Sequence, residues 1–234
     1  MAYLFGAGAA DTITVGTNVT LWTTKVSVYA RGTLTSSDTS AREILTWVTA
    51  GVFDWQLFLE YGTGGTNQVQ FGYRSTTPSY HIATWTSGFT AGSLHTLVGV
   101  IDLTLGSANV ALYADTDATA KATANSTVAP YAATTPAVIL GNHPDVTTQS
   151  LDGRLYEVGL WIQTALTGAQ AAALGAGRAE SVPPPTYYWP LLTDARAMMG
   201  GLDGVVSSAT VVDHSGGNLY TAGPVLGRRI GRRR

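Results

Sequence analysis

The sequence predicts an all-β protein in which two antiparallel sheets pack into a sandwich, with one short helix near residues 167–175. Short runs of apolar and polar residues alternate along the chain and are separated by turn clusters. The clearest run covers residues 68–73, where Val69, Phe71 and Tyr73 share one face. A chain of 234 residues can bury one sizeable core, and sandwiches of this length commonly form one domain.

The helical signal stands just after a predicted strand. An Asp152-Gly153 turn starts that strand, which is rich in Leu, Tyr, Val and Trp. Thr167 followed by Gln170 has the spacing of a capping box, in which each residue bonds the backbone of the other. Alanines follow, and the pattern ends at Gly175, as helices often do. On a continuous strand, Asp152 and Glu157 would face opposite sides of the sheet.

Turn residues indicate how the remaining strands connect. Residues 61–67 form a glycine-rich hairpin turn between predicted strands at 55–59 and 68–73. Three consecutive prolines at 183–185 exclude regular strand pairing and predict a stiff crossover loop.

These elements follow one another in a specific order along the chain. The motifs that carry this order are Val26-x-Val28-x-Ala30, HTLVGVI at 95–101, a hairpin strand at 110–114 with its turn at 115–117, an apolar strand closing on Gly-Asn at 138–142, Tyr188-Trp189-Pro190-Leu191, and Asp213-x-Ser215-Gly216-Gly217-Asn218. In this order, residues 10–222 resemble the concanavalin A-like jelly rolls of the laminin-G and pentraxin type, especially bacteriophage-encoded ones. The extra glycine near the end departs from the phage pattern. The resemblance implies a jelly roll in which Glu157 is a structural acid.

The composition sets limits on the environment of the protein. Charged residues make up only 12% of the chain, about half the usual share, and Thr, Ser and Gly fill the difference. Such a surface favours a protein held in an assembly or living outside cells. Because the chain has no cysteine, it has neither a disulfide framework nor a thiolate zinc site.

Basic residues concentrate in the last seven positions. Five of the 13 stand there (Arg228, Arg229, Arg232, Arg233 and Arg234), which leaves 8 basic against 15 acidic residues elsewhere. We expect a domain at 1–222 and a basic arm at 223–234. The arm is either a solvated tail or a docking segment for a neighbouring protein. Nucleic acid is disfavoured, because no aromatic and basic interleaving occurs elsewhere.

The first residues carry no convincing targeting signal. Residues 1–10 lack a positive start and a long apolar run, so we expect no signal peptide. No run approaches a membrane span. Release inside a virion would place the protein outside cells without a signal.

An enzymatic role is not expected. Glucanase relatives of this fold use a Glu-x-Asp-x-x-Glu strand, whose alternation puts acid and nucleophile on one face. That spacing does not occur in the sequence.

Oxygen ligands in loops make a calcium site conceivable. Laminin-G and pentraxin-type domains often hold calcium at a rim, and the corresponding candidates here are Asp115, Asp117, Asn142 and Asp145. Turn chemistry alone also explains such residues. The four histidines share no spacing, so no cofactor other than calcium is expected, and His95 is interpreted as a packing residue at a strand start.

Aromatic residues beside loops could form a sugar platform. Such a site needs an aromatic face with amide or carboxylate partners, and the candidates are Trp55, Tyr73, Tyr80 and Trp85. In a sandwich of this size, most aromatic residues belong to the core or the rim.

The sequence therefore predicts a non-enzymatic bacteriophage virion protein that decorates the capsid or forms part of a fibre. Its partners would be other virion proteins, further copies of itself and host-surface glycans, contacted through a sheet edge, residues 1–11 or the basic arm. The alternative is a carbohydrate-binding lectin or tail adhesin, with calcium as an optional ligand.

Overall fold

The computed structural model describes residues 2–5, 12–17, 22–34, 42–49, 55–62, 68–76, 79–86, 89–131, 136–142, 150–191, 204–207 and 210–212. Within these ranges, two antiparallel sheets make up nearly all the regular structure. The predicted two-sheet jelly-roll sandwich is confirmed.

The first sheet is built around two long antiparallel strands, β3 (Lys25–Leu34) and β12 (Gly153–Ile162). Its strands, in spatial order, are β10 (Ala122–Ala124), β9 (Val110–Ala114), β8 (Leu94–Asp102), β3 (Lys25–Leu34), β12 (Gly153–Ile162), β1 (Ala2–Phe5) and β15 (Thr210–Val212), and β13 (Tyr187–Trp189) also pairs with β12. The strands that the family resemblance predicted at 26–30, 95–101 and 110–114 all lie in this sheet.

The second sheet packs against the first. Its strands, in spatial order, are β14 (Gly204–Ser207), β2 (Thr12–Thr17), β11 (Pro136–Leu140), β4 (Arg42–Thr49), β5 (Trp55–Tyr61), β6 (Val69–Arg74) and β7 (Tyr80–Trp85). Sequence neighbours β4 to β7 are successive antiparallel partners, and β5 and β6 are the two strands that the sequence predicted as a hairpin.

The core lies between the sheets and is rich in large aromatic side chains. Trp47, Phe71 and Trp189 are fully buried there, and burial of each contributes on the order of 1.5–3 kcal/mol. Gly99 of β8 faces Phe71 of the opposite sheet, and a Cβ at that glycine would lie 2.3 Å from the Phe71 ring. The missing side chain lets the ring reach across the core.

The alternation of side chains between the two faces of β12 is interrupted within the strand. The register with β3 shifts between Leu155 and Glu157, which indicates a β-bulge there. Leu155 and Val158 both join the core between the sheets, although they are three positions apart and would face opposite sides of a regular strand. Asp152 precedes the strand. The continuous strand on which Asp152 and Glu157 would face opposite sides is therefore not present.

One helix, α1 (Gly168–Gly175), covers the outer face of the first sheet. Its N-cap is Thr167, and the predicted capping box with Gln170 is present. Ala171 and Leu174 are buried against a second apolar cluster that includes Tyr29 and Trp161. A 3-10 turn (Ala179–Ser181) follows, and the three prolines then lead into β13.

The expected boundary between a domain at 1–222 and an arm at 223–234 lies outside the described residues. The same is true of the five tail arginines, Arg228, Arg229, Arg232, Arg233 and Arg234. In the part of the chain that the structure describes, no helix has the length and apolar character needed to span a membrane.

Candidate functional site

A cleft of about 780 Å³ opens where the end of β7 meets the turn between β9 and β10. It is lined by Trp85, Ala114, Asp115, Thr116, Asp117, Ala120 and Lys121. The volume lies within the range usual for small-molecule sites. The sequence predicted Trp85 as a sugar contact and Asp115 and Asp117 as calcium ligands, and the structure brings all three together in this cleft.

Asp115 fixes the turn at the floor of the cleft. Its φ of 56° is in the left-handed region, which Asp tolerates better than most residues. Its backbone N–H donates to the carbonyl oxygen of Thr96 at 2.7 Å, and its carboxylate accepts from the N–H of Thr96 at 3.1 Å. The backbone and the side chain of Asp115 thus both hydrogen-bond the turn to β8.

His95 supports Asp115 from behind. Its Nδ1 lies 3.1 Å from a carboxylate oxygen of Asp115, and its Nε2 lies 3.0 Å from the carbonyl oxygen of Thr90. Because both oxygens can only accept, both ring nitrogens must donate, which favours the charged imidazolium. The hydrogen bond to Asp115 raises the pKa of His95, and burial opposes that shift without cancelling it. Phe89 stacks on the ring at 4.6 Å.

Both cleft carboxylates are ionised at neutral pH. Burial acts to raise the pKa of Asp115, but hydrogen bonds from His95 and Thr96 outweigh it, and the pKa is lowered. The pKa of Asp117 is lowered chiefly by its hydrogen bond from Lys121, whose Nζ lies 2.8 Å away. The N–H of Thr119 also donates to Asp117, at 2.8 Å.

Trp85 forms the apolar wall of the cleft. Only 8% of its surface is exposed, and the Lys121 Nζ lies 5.8 Å from the centroid of its ring. Phe89 meets the indole edge to face at 6.2 Å. An aromatic wall, an ammonium and two carboxylates therefore share one opening.

Helix α1 holds the turn in place from the outer side. Gly168 and Gly175 are seven residues apart, about two helical turns, so both lie on one face of the helix. A Cβ at Gly175 would lie 1.7 Å from the Asp115 carbonyl oxygen, and one at Gly168 would lie 2.0 Å from that of Ala118. The helix backbone thus packs directly on the turn that carries both carboxylates.

The four aromatic candidates do not form one platform. Tyr80 is 47% exposed and starts β7, whereas Trp85 ends it, so the two stand at opposite ends of the strand. Tyr73 is fully buried, and its hydroxyl oxygen lies 2.6 Å from Ser126 Oγ and 2.7 Å from the Val128 carbonyl oxygen. That position does not fit a sugar contact. Trp55 begins β5, and its side chain lies outside the described part of the structure.

The four calcium candidates are also divided. Asp115 and Asp117 follow β9 of the first sheet, and each is paired with a cation. Asn142 follows β11 of the second sheet and is 2% exposed, and its carbonyl oxygen accepts from the Thr46 hydroxyl at 3.2 Å. Asp145 lies outside the described residues. Among those the structure describes, no group of three or more His, Asp or Glu side chains is placed to hold a metal ion.

Two residues of the cleft were missed in the sequence. His95 was interpreted as a packing residue, and Lys121 was not singled out. Lys121 stands four positions after Asp117 in a turn, a spacing at which the two charges can meet. Nothing local signals the contact of Lys121 with Trp85, because 36 residues separate them in the chain.

No protein-family model and no curated protein matches the sequence. Solved structures do match in fold. A native heptameric SAP-like pentraxin from Limulus polyphemus is 14% identical over 88% of this chain and 91% of its own, with a TM-score of 0.61. The CBM40 module of the Ruminococcus gnavus IT-sialidase, solved with α2,3-sialyllactose, is 14% identical over 66% of this chain and 84% of its own, with a TM-score of 0.54. At such identities the likeness shows the fold alone: a jelly-roll sandwich of two antiparallel sheets.

Proposed function

We propose that this protein is a non-enzymatic carbohydrate-binding protein, and that the cleft beside Trp85 holds the sugar. The observation that carries the proposal is the meeting of an indole wall with two ionised carboxylates in a cleft of about 780 Å³. The apolar face of a sugar ring packs on an indole, and its hydroxyls donate to carboxylates. The CBM40 module is a protein of the same fold that was solved with a bound glycan.

The state of the carboxylates argues against glycoside cleavage in the cleft. A glycosidase needs one carboxylic acid whose raised pKa keeps it protonated until it donates to the leaving group. Here the pKa values of Asp115 and Asp117 are both lowered. Each carboxylate also has a cationic partner, His95 or Lys121, that keeps it charged. The pair can therefore accept hydrogen bonds from a sugar but is not suited to supply a proton.

We expect sugar binding in the cleft to proceed without metal. Asp115 and Asp117 already use carboxylate positions to bind the cations of His95 and Lys121. Addition of a chelator should leave glycan retention unchanged. Loss of retention, restored by calcium, would instead favour the other two calcium candidates of the sequence, Asn142 and Asp145.

We also propose that this protein is a component of a bacteriophage virion. This proposal rests on the phage-like order of motifs and on the low charge content, and we propose capsid decoration or a fibre as its setting. Self-association would strengthen weak sugar contacts, because each further site on one assembly binds at a high effective concentration. The pentraxin of similar fold is itself a heptamer. Quantitative mass spectrometry of source particles tests this role: hundreds of copies per particle support decoration, and absence from particles refutes it.

A glycan array tests the sugar-binding proposal directly. The wild type should retain a defined set of glycans, and Trp85→Ala should lose at least tenfold in affinity for them. Because Trp85 is largely buried, Lys121→Met provides a second variant at an accessible position, and circular dichroism checks that both fold. Tyr80→Ala, at the far end of the same strand, is the matched control and should bind as the wild type does. The proposal fails if no glycan is retained, or if both cleft variants bind normally.

A further inference from the structure

We infer that the cleft selects neutral, hydroxyl-rich glycans and rejects glycans that carry carboxylates. This inference rests on the proposed sugar binding and adds the class of ligand. It follows from the arrangement of hydrogen-bond donors and acceptors around the opening.

Carboxylates outnumber ammonium groups among the charged side chains that line the cleft. The Asp115 and Asp117 side chains are 47% and 43% exposed, whereas that of Lys121 is 29% exposed. The Lys121 ammonium is already directed at Asp117, at 2.8 Å. A ligand entering the cleft therefore meets carboxylate oxygens first, and these require donors such as sugar hydroxyls.

Each carboxylate keeps acceptor capacity for a ligand. A carboxylate offers about four lone-pair positions. Asp115 accepts from His95 and Thr96, and Asp117 accepts from Lys121 and Thr119. These contacts leave positions on both residues for the paired hydroxyls of a sugar, while the protein contacts hold the oxygens in place.

The charge of the cleft opposes an anion. The imidazolium of His95 balances Asp115, but its side chain is only 9% exposed and lies behind that carboxylate. Among the accessible charged groups of the cleft, the ammonium of Lys121 balances only one of the two carboxylates, those of Asp115 and Asp117. The lowered pKa values of Asp115 and Asp117 keep both charged in neutral and mildly acidic solution. A ligand carboxylate at this opening would meet like charges, which is a strong means of exclusion.

Binding of an anion in the cleft would require the ion pair between Lys121 and Asp117 to break. Bidentate recognition of a carboxylate is best done by an arginine fork, and the described residues that line the cleft include no arginine. Lys121 could turn toward an anion only by leaving Asp117, which would then stand unneutralised beside the same ligand. The Lys121–Asp117 pair is thus the specificity element of the cleft.

The test compares neutral and acidic glycans on the wild type and on Asp117→Asn. Wild-type binding should be confined to neutral glycans and should change little with salt. Asp117→Asn removes one acceptor charge and frees Lys121, so neutral glycans should bind about tenfold more weakly while acidic glycans gain affinity. Glu180→Gln, an exposed carboxylate away from the cleft, is the control for the loss of one negative charge and should show neither change.

The outcomes separate the two proposals. Retention of sialylated or uronate glycans by the wild type, lost in Trp85→Ala, would overturn the selectivity while leaving sugar binding intact. Equal losses for neutral and acidic glycans in Asp117→Asn would also overturn it. Absence of binding to every glycan would refute both proposals together.

Discussion

The Tyr188 hydroxyl donates a 2.6 Å hydrogen bond to the Glu157 carboxylate, and both residues are fully buried. Tyr29 also approaches Glu157 through its hydroxyl, at 3.4 Å, and Arg31 approaches it at 3.2 Å. Burial first, and then the charge of Glu157, raise the pKa of Tyr29 well above its ordinary value. Glu157 thus links β3, β12 and β13 beneath helix α1, which is the structural role that the family resemblance implied.

Tyr188→Phe should destabilise the protein by about 1.5–3 kcal/mol, because it removes a bond to a buried charged acceptor. The free energy of unfolding from urea denaturation measures this loss. Tyr80→Phe removes a hydroxyl from an exposed tyrosine and should change stability by less than about 0.5 kcal/mol. Equal effects of the two substitutions would show that the buried bond adds no stability.

His95 should make stability depend on pH near neutrality. Its pKa is raised above the ordinary value of 6.5 in the folded state. The folded protein therefore holds the proton more tightly than the unfolded chain. The resulting stabilisation is complete below pH 6.5 and is lost as pH rises through the folded-state pKa.

Urea denaturation between pH 5 and pH 9 checks this dependence. His95→Gln should flatten the decline of stability at the alkaline side. His81 is the matched comparison because burial lowers its pKa, so its contribution grows as pH rises toward 6.5. His81→Gln should therefore change only the acidic side. An unchanged alkaline slope in His95→Gln would contradict the assignment of a charged imidazolium.

Two buried glutamates should give the stability of the protein a second dependence on pH. Glu43 of β4 and Glu60 of β5 stand directly opposite each other, and both are at most 2% exposed. Burial first, and then the charge of Glu60, raise the pKa of Glu43 well above its ordinary value of 4.5. Stability should therefore fall as pH rises from 4.5 toward the folded-state pKa.

Glu43→Gln removes this penalty without changing the side-chain shape. At pH 8 the variant should be more stable than the wild type by about 1–3 kcal/mol, and at pH 4 the two should be nearly equal. Denaturation at both pH values tests the prediction. Glu180→Gln supplies an exposed control that should show no such difference. A variant destabilised equally at both pH values would show that the Glu43 carboxyl supports the fold in its ionised form.

The sequence predicted those elements whose signals are local. The Thr167–Gln170 capping box sets the start of helix α1 within four residues, so no distant contact was needed to find it. The alternation at 68–73 put Val69, Phe71 and Tyr73 on one face, and the structure places all three in the core. The nomination of Tyr73 as a sugar contact did not use that shared face. Wherever a strand is regular, the sequence shows which side chains share a face, because successive side chains alternate between the two faces.

Features that depend on distant contacts could not be predicted. Trp85 and Lys121 meet because β7 and β10 are edge strands of different sheets that lie beside each other at the cleft, and sequence spacing carries no information about that contact. The bulge before Glu157 inserts one residue into β12 and reverses the facing of the later residues of that strand. The family resemblance nominated Asp115 and Asp117 as calcium ligands, but only the fold shows that each is paired with a cation.

Gly175→Ala should damage both stability and sugar binding. The new methyl group would lie 1.7 Å from the Asp115 carbonyl oxygen, far inside van der Waals contact, so the helix or the turn must move. Overpacking of this kind costs about 1–3 kcal/mol. If the turn moves, Asp115 loses its alignment with Trp85 and glycan affinity should fall at least tenfold. Urea denaturation and the glycan array measure the two effects.

Gly106→Ala is the matched control, because a Cβ there meets no atom within 4 Å. It should preserve both stability and binding. A Gly175→Ala protein that is destabilised yet binds glycans normally would show that the helix moves and the turn does not. The contact between α1 and the turn would then stabilise the sandwich without positioning the cleft, and the link from the two helix glycines to ligand binding would be refuted.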